Sequence, residues 1–414
     1  MTQPGTAPRV VLHIGAMKTG TSTLQAVLCE HASALAAQGV FFPCDPDWSV
    51  QVRAVRDALD LRVRKQRPGR WAEMARRLRT HGGPLAVLSM EFLSFADLDH
   101  ARRVVGSLAP ADVHVVLTLR DPSRVLPSAW QEWTQNRGSA SWTDYLATAE
   151  RLAPGGSDPS SSSPAARAYR RVLDTDRMLS VWAGVVAPGR LHVVTVPPPD
   201  APARLLWERF ASVLDIDAAA YELPPKGANE SIDYHAAELM WRVNERVTDL
   251  NFVGYDTVVK KQLCKQVLAQ RPDPTPVPLP QTARQLAVRW ARHTVHLVQE
   301  AGAHVVGDLA ELEPVASRFA PGSVPEIDEQ AIVAVARDAL AGLGEPTAAA
   351  RLPEADVDAA VSAVATRIHV LADKPPVPGD QSSADVHKAP RPVQPVRAVV
   401  SGLLRSWRGG RRPS

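Results

Sequence analysis

The chain has 414 residues, 45% of them hydrophobic and 22% charged, so it is long enough to bury a sizeable core. A formal net charge of only +3 gives no argument for a nucleic-acid partner. No apolar run approaches membrane-spanning length, and the polar residues before the first predicted strand do not resemble a secretion signal. We therefore predict a cytoplasmic protein.

The three cysteines, Cys29, Cys44 and Cys264, are widely spaced and odd in number. Because no Cys-x-x-Cys pair is present, the sequence predicts neither a zinc site nor a disulfide framework. This cysteine usage leads us to expect a reducing compartment.

The first predicted elements are a buried strand over residues 10–14, a loop between Gly15 and Gly20, and a helix from Thr21. Unpaired N–H groups at a helix start, together with the helix dipole, favour a bound anion. Lys18 adds a positive charge. Hydroxyl donors come from Thr19, Thr21, Ser22 and Thr23. The pattern predicts a loop that holds a phosphate-like group, and the alternative is an ordinary strand-to-helix turn.

The position of the lysine distinguishes this loop from a Walker A motif. In the Walker A pattern the lysine directly follows the second glycine. Here Lys18 comes two residues before Gly20. The loop is therefore P-loop-like without matching the nucleotide-triphosphatase pattern.

The predicted strand over residues 113–119 ends at Arg120, where Asp121 suits a helix N-cap and Pro122 the first helical position. Ser128 follows in the predicted helix. A guanidinium and a hydroxyl placed in this way can bind a phosphate. The alternative is a capped helix with a surface arginine.

These two motifs together resemble the PAPS-dependent sulfotransferases, where PAPS is 3′-phosphoadenosine 5′-phosphosulfate. The segment from His13 to Gln25 resembles their 5′-phosphosulfate loop, as found in the bacterial branch with the motif K-T-G-T-[ST]. The R-D-P-x-x-x-x-x-S pattern resembles their 3′-phosphate site. The resemblance implies that the phosphosulfate is held by Gly15, Lys18, Thr19, Gly20, Thr21, Ser22 and Thr23. It implies that Arg120 and Ser128 bind the 3′-phosphate, and that no metal is needed.

A transferase of this kind requires a general base for the acceptor. Glu91 follows a predicted strand over residues 85–89, at the sheet edge where ligands bind, and is our candidate. Its alternatives are a helix cap and a Walker-B-like acid. Asp45 and Asp47 are rival bases. His13 lies within the first strand and is predicted to be buried.

Several other features carry open alternatives. Lys226 and Gly227 are candidates for a basic loop over the 3′-phosphate, or form a plain turn. The arginine-rich stretch over residues 53–70 is either a solvated helix face or an anion-attracting collar. Trp130 and Trp133 are at helical spacing, which favours core positions over an adenine platform.

Alternating strands and helices predict an α/β fold with a P-loop-like parallel sheet flanked by helices, and a mainly helical C-terminal part. We predict a PAPS-binding core over residues 1–225, a helical extension over 226–373 and a disordered basic tail over 374–414. Residues 21–39 and residues 165–184 are each predicted to form one helix, and the segment from Val305 to Leu309 is predicted as a turn. The tail is either frayed or weakly contacts an anionic membrane surface.

The function implied is sulfuryl transfer from PAPS to a hydroxyl or amine of a sugar, lipid or small molecule. One alternative is a P-loop kinase or nucleotide triphosphatase that uses Mg-ATP. The other is a non-catalytic nucleotide-binding interaction protein.

Overall fold

The computed structural model describes residues 7–61, 68–158, 162–224, 231–322, 324 and 327–373. Six parallel strands form one sheet in the order β2-β3-β1-β4-β5-β6. The strands are β1 (Arg9–His13), β2 (Val40–Phe41), β3 (Leu85–Ser89), β4 (Asp112–Leu119), β5 (Leu191–Thr195) and β6 (His304–Val306). The predicted α/β fold with a parallel sheet is confirmed.

Helices cover both faces of the sheet and form most of the chain after it. Before β5 they are α1 (Thr21–Glu30), α2 (Ala32–Ala37), α3 (Ser49–Ala58), α4 (Arg70–Thr80), α5 (Leu98–Ser107), α6 (Pro122–Thr134), α7 (Trp142–Leu152), α8 (Pro164–Leu173) and α9 (Thr175–Ala183). After β5 they are α10 (Leu205–Leu214), α11 (Tyr234–Arg246), α12 (Phe252–Gly254), α13 (Gln281–Glu300), α14 (Glu329–Gly342), α15 (Pro346–Ala350) and α16 (Val357–Ala372). A π-helix, Tyr255–Val267, continues directly from α12.

The sheet is buried on both faces, which explains the continuous apolar runs in its central strands. Val10 and Leu12 of β1 pack with α3, α4, α5, α9 and α13 on one face. Val11 faces the other way and packs with α1, α2 and α10. A third apolar cluster joins α6, α7 and α8 to the helices after residue 225.

The sequence predictions differ from the structure at three places. The helix predicted over residues 21–39 is two helices that meet at His31. The helix predicted over 165–184 is also two, and Asp174 caps the second by accepting from the N–H of Arg177. The predicted turn after residue 304 is wrong because His304–Val306 pairs with β5 as the sixth strand. Three residues are too few to show strand periodicity, so only the pairing reveals this strand.

The expectation of no disulfide is also wrong. Cys29 and Cys44 form a disulfide, with their Cα atoms 5.5 Å apart, whereas Cys264 is free and buried. The two cysteines are 15 residues apart in the sequence, and this spacing does not indicate that the chain returns beside α1 after β2. In the described part of the chain, no helix is both long and apolar enough to cross a membrane. The cytoplasmic location stays a prediction.

The topology brings three chain segments to one crevice. The chain leaves β1 towards β2 and β3 on one side, then crosses to β4 on the other side of β1. In open parallel sheets, ligands bind at the carboxyl edge near such a reversal. The loop after β1, the residues after β3 and the residues after β4 therefore meet at one edge.

Candidate functional site

The loop from Ile14 to Gly20 has a backbone that depends on glycine. Gly15 has φ +106° and Gly20 has φ +84°, both in the left-handed region that favours glycine. A Cβ on Gly15 would lie 3.3 Å from the Cβ of Glu91, and one on Gly20 would lie 2.6 Å from Leu206. Lys18 also has a positive φ, of 64°. The loop thus turns tightly against the segment after β3.

The hydroxyl groups of the loop do not all face the same way. Thr19 is buried, and its hydroxyl contacts the carbonyl of Ala16 at 2.6 Å and the Thr118 hydroxyl at 2.5 Å. Thr21 is buried, whereas Ser22 and Thr23 are exposed in the first turn of α1. Thr19 therefore stabilises the loop, and Ser22 and Thr23 are the accessible donors.

The first turn of α1 has N–H groups available for an anion. Gly20 caps the helix without a side-chain hydrogen bond. Among the hydrogen bonds of the described residues, none uses the N–H of Thr21 or Ser22. These donors and the positive end of the helix dipole satisfy the chemistry of an anion site.

Arg120 lies at the carboxyl end of β4 and is mostly buried. Its guanidinium donates to the carbonyl of Lys18 at 3.1 Å, so the two predicted motifs are in contact. Its Nε is buried and has no hydrogen-bond partner. Burial, together with the charges of Arg124 and Arg318, lowers the pKa of Arg120 to about 10.

Arg124 and Arg318 make this corner of the site strongly cationic, and the sequence reasoning missed both. Arg124, on α6, donates to the carbonyl of Pro197 at 2.7 Å. Its pKa is lowered by burial and by the charge of Arg318, which lies exposed in a 3₁₀ turn, Ala316–Arg318. Asp121 opposes these charges, but its carboxylate accepts from the N–H and hydroxyl of Ser123, both at 2.7 Å. The three arginines therefore have the charge to bind a phosphate.

Ser128 lies on α6 in this part of the site. Its hydroxyl donates to the carbonyl of Arg124 at 3.0 Å. No hydrogen bond among the described residues joins Ser128 to Arg120. The structure therefore joins Arg120 to the loop but leaves Ser128 bonded within its own helix.

Glu91 packs beside the loop, two residues after the end of β3. Its carboxylate accepts from the side-chain amide of Gln25, on α1, at 2.8 Å. Burial raises the pKa of Glu91, and the nearby negative charge of Glu132 also raises it, against the opposing effects of Gln25 and Lys18. A carboxylate with a raised pKa is a stronger base than a solvent-exposed one.

Glu132 is the carboxylate that contacts Lys18, and sequence reasoning did not identify it. The Lys18 ammonium and the Glu132 carboxylate are 3.0 Å apart. Burial disfavours ionisation of Glu132, but Lys18 and Lys260 outweigh it and lower its pKa to about 2. Glu132 is thus ionised and holds the Lys18 side chain in place.

Lys18 and Glu132 line a cavity of about 240 Å³, which we call the Lys18 cavity. It lies between the loop after β1, α6, α8 and the π-helix. Its aromatic residues are Phe92, Phe95, Trp133, Phe252 and Tyr255. Its charged residues are Lys18, Arg56, Glu132, Arg137, Arg171, Asp256 and Lys260. A second molecule held here would be adjacent to the Lys18 ammonium.

The other predicted residues have various positions. Asp45 and Asp47 are exposed after β2, and Asp47 accepts from the N–H of Ser49 at 2.7 Å. Lys226, Gly227 and the basic tail over 374–414 lie outside the described residues.

Three core predictions can be compared directly with the structure. Trp130 and His13 are fully buried, as predicted, whereas Trp133 lines the Lys18 cavity. Arg56 is buried, so this part of the arginine-rich stretch is not a solvated face.

Within the described ranges, no group of three or more His, Cys, Asp or Glu side chains is arranged to hold a metal ion. Comparison with known proteins adds no identification. No family model, no curated protein and no solved structure matches the chain.

Proposed function

We propose that this chain is a P-loop-like sulfotransferase that uses PAPS as the sulfuryl donor. The observation that carries the proposal is the contact between Arg120 and the Lys18 carbonyl, with Arg124 and Arg318 nearby. One anion site lies at the start of α1 and a second cationic site lies at the end of β4. A donor with two separate phosphate groups fits this pair better than a donor with one phosphate chain.

The residues present fit the donor chemically. The buried, unpartnered Nε of Arg120 is a donor that a phosphate oxygen would satisfy. The N–H groups of Thr21 and Ser22 suit the phosphosulfate. When bound, PAPS supplies the sulfuryl group and a bisphosphate leaving group.

The chain's residues then have separate roles. Sulfuryl transfer is an in-line displacement like phosphoryl transfer, so positioning and electrostatics dominate. The acceptor oxygen or nitrogen forms a bond to sulfur, and the bond from sulfur to the bridging oxygen breaks. Lys18 stabilises the negative charge on that oxygen. The acceptor's proton passes to a carboxylate, for which we propose Glu91, because burial raises its pKa.

Calorimetric titration tests the donor site. Wild-type protein and Arg120→Ala are titrated with 3′,5′-adenosine bisphosphate and, separately, with Mg-ATP. We expect the bisphosphate to bind wild type in preference to Mg-ATP, and Arg120→Ala to lose most of this affinity. Arg102→Ala removes an exposed arginine of α5 and is the matched control, which should bind as wild type does.

Two results would contradict the proposal. Equal or tighter binding of Mg-ATP would favour the kinase or triphosphatase alternative. Binding of neither nucleotide would favour the non-catalytic interaction protein.

A further inference from the structure

The Lys18 cavity contains more positive than negative charge. Among its described lining residues, Lys18, Arg56, Arg137, Arg171 and Lys260 are cationic, and Glu132 and Asp256 are acidic. Both acids already have cationic partners. Glu132 contacts Lys18 at 3.0 Å, and Asp256 contacts Lys261 at 3.1 Å. Neither acid is therefore left over as a partner for Arg171.

Arg171, on α8, differs from the other cations of the cavity in the partners of its charged group. No hydrogen bond or ion pair joins its guanidinium to another described residue, and it lies over the Phe95 ring, 5.3 Å from the centroid. Burial lowers its pKa, and the charged neighbours that add to this effect, Arg167 and Arg177, are themselves cations. A largely buried cation without a counter-charge is costly unless a ligand supplies one.

The other cavity cations are held by the protein itself. Arg137 donates to the carbonyl of Leu250 at 2.8 Å, and its guanidinium stacks on Tyr255, 4.1 Å from the ring centroid. Lys260 donates to the side chain of Asn136 at 2.7 Å. Arg171 is thus the cavity cation with all of its donors available to a ligand.

The rest of the wall is aromatic and apolar. Phe92 and Phe95 stack with ring centroids 5.3 Å apart, and Trp133 and Tyr255 add further ring surface. Tyr255 and Lys260 belong to the π-helix, a geometry that frequently occurs at functional sites. The volume of about 240 Å³ is below the range of roughly 300 to 1,000 Å³ typical of small-molecule sites. A small ring-containing molecule suits this space.

We infer that the Lys18 cavity binds a small aromatic acceptor that carries an anionic group, and that this group pairs with Arg171. The inference rests on the proposed function, because a molecule bound in this cavity is an acceptor only if sulfuryl transfer takes place next to Lys18. The acceptor's hydroxyl or amine would face Lys18, and its anionic group would face Arg171. Arg171 is accordingly a specificity-determining residue and takes no part in the chemical step.

The test measures binding alone, so it does not depend on sulfuryl transfer. Wild-type protein is titrated calorimetrically with 4-hydroxybenzoate, 4-hydroxyphenylacetate and 3-(4-hydroxyphenyl)propionate, and with the primary amide of each. We expect at least one acid to bind about tenfold or more tightly than its amide, since a charge-assisted hydrogen bond is lost in the amide. The variant Arg171→Gln should remove this preference, and Arg171→Lys should restore part of it.

A second variant separates a specific pair from general electrostatics. Arg167→Gln removes the same charge from an exposed position on the same helix and should keep the preference for the acid. Equal affinity of acid and amide, no binding of any acid, or equal effects of Arg167→Gln and Arg171→Gln would each overturn the inference. Bisphosphate binding is measured in parallel, so failure of the donor site is recognised separately.

Discussion

Two polar clusters interrupt the apolar sheet, and they differ in how their charges are satisfied. At the carboxyl edge, Lys18 and Arg171 line the Lys18 cavity, and the buried Nε of Arg120 has no hydrogen-bond partner. Towards the amino ends of β4, β5 and β6, three histidines form a row, with His114 Nδ1 2.8 Å from His192 Nε2 and His192 3.4 Å from His304. Asp112 and Arg190 contact His114 at 3.3 Å and 3.0 Å.

The comparison shows why only the first cluster points to a ligand. In the histidine row each described ring has a protein partner, so a ligand would have to displace an existing hydrogen bond. At the carboxyl edge, the buried Nε of Arg120 and the guanidinium of Arg171 have no such bond to lose. An anionic ligand would satisfy these unused donors, which is the basis of our proposals for the carboxyl edge, whereas the histidine row is already satisfied by the protein.

The largest expected effect at the carboxyl edge is that of replacing Glu91, the proposed general base. Glu91→Gln keeps the shape and a polar contact with Gln25 but removes the acceptor of the proton. We expect kcat to fall about 10²- to 10⁴-fold. Release of 3′,5′-adenosine bisphosphate from PAPS, in the presence of an acceptor, measures this rate.

The pH dependence of the activity shows whether Glu91 or Glu132 is the general base. Because Glu91 has a raised pKa, wild-type activity should increase as pH rises through that pKa, and Glu91→Gln should lose this limb. Glu132→Gln should keep the limb, since the pKa of Glu132 is about 2. Loss of the limb in Glu132→Gln alone would identify Glu132 as the base.

The histidine row should affect stability rather than activity. Burial lowers the pKa of His192 to about 4, with His114 and His304 contributing, whereas the unfolded chain has a value near 6.5. The unfolded state therefore binds protons first as pH falls, and the stabilisation present above about pH 6.5 is lost towards pH 4. We expect about 1 to 2 kcal/mol of unfolding free energy to disappear, after allowing for partial exposure.

Urea unfolding at several pH values measures this loss. His192→Gln should unfold with a flatter pH dependence than wild type, because it lacks the titrating ring. A variant with the wild-type slope would show that carboxylates, and not the histidine row, cause the acid sensitivity.

The smallest expected effect is that of Arg318, the exposed one of the three arginines near the end of β4. Arg318→Gln should weaken bisphosphate binding about three- to tenfold at low salt, since exposed charge pairs contribute little. High salt should reduce the difference between variant and wild type. Calorimetry at two salt concentrations measures both effects. Arg190→Gln, in the histidine row, is the charge-matched control, and an equal loss in this control would argue against a specific role for Arg318.

Local sequence patterns predicted much of the fold and part of the site. The apolar runs around Val10, Val87 and Val115 identified central strands, because strands buried on both faces carry few polar residues. The glycine spacing identified the loop after β1. Arg120 directly follows β4 and Glu91 lies two residues after β3. Because the ends of parallel strands share one edge, their proximity to the loop could be expected.

The remaining site residues have no local signal. Glu132, Arg171 and Arg318 resemble ordinary charged residues of helices or turns, and whether each faces solvent or the cavity depends on helix packing. The pairing of β6 and the bond between Cys29 and Cys44 likewise depend on segments that meet only in the folded chain.

The sequence by itself thus determined the strand–loop–helix start and the arginine at the end of β4, because backbone geometry and apolar periodicity are local properties. Only the tertiary structure decided which charges are neutralised. Lys18 and Glu132 are 114 residues apart in the chain, yet they form an ion pair, while Arg171 is left without one. The charge balance of a cavity depends on every element that lines the cavity, so no single stretch of sequence determines that balance.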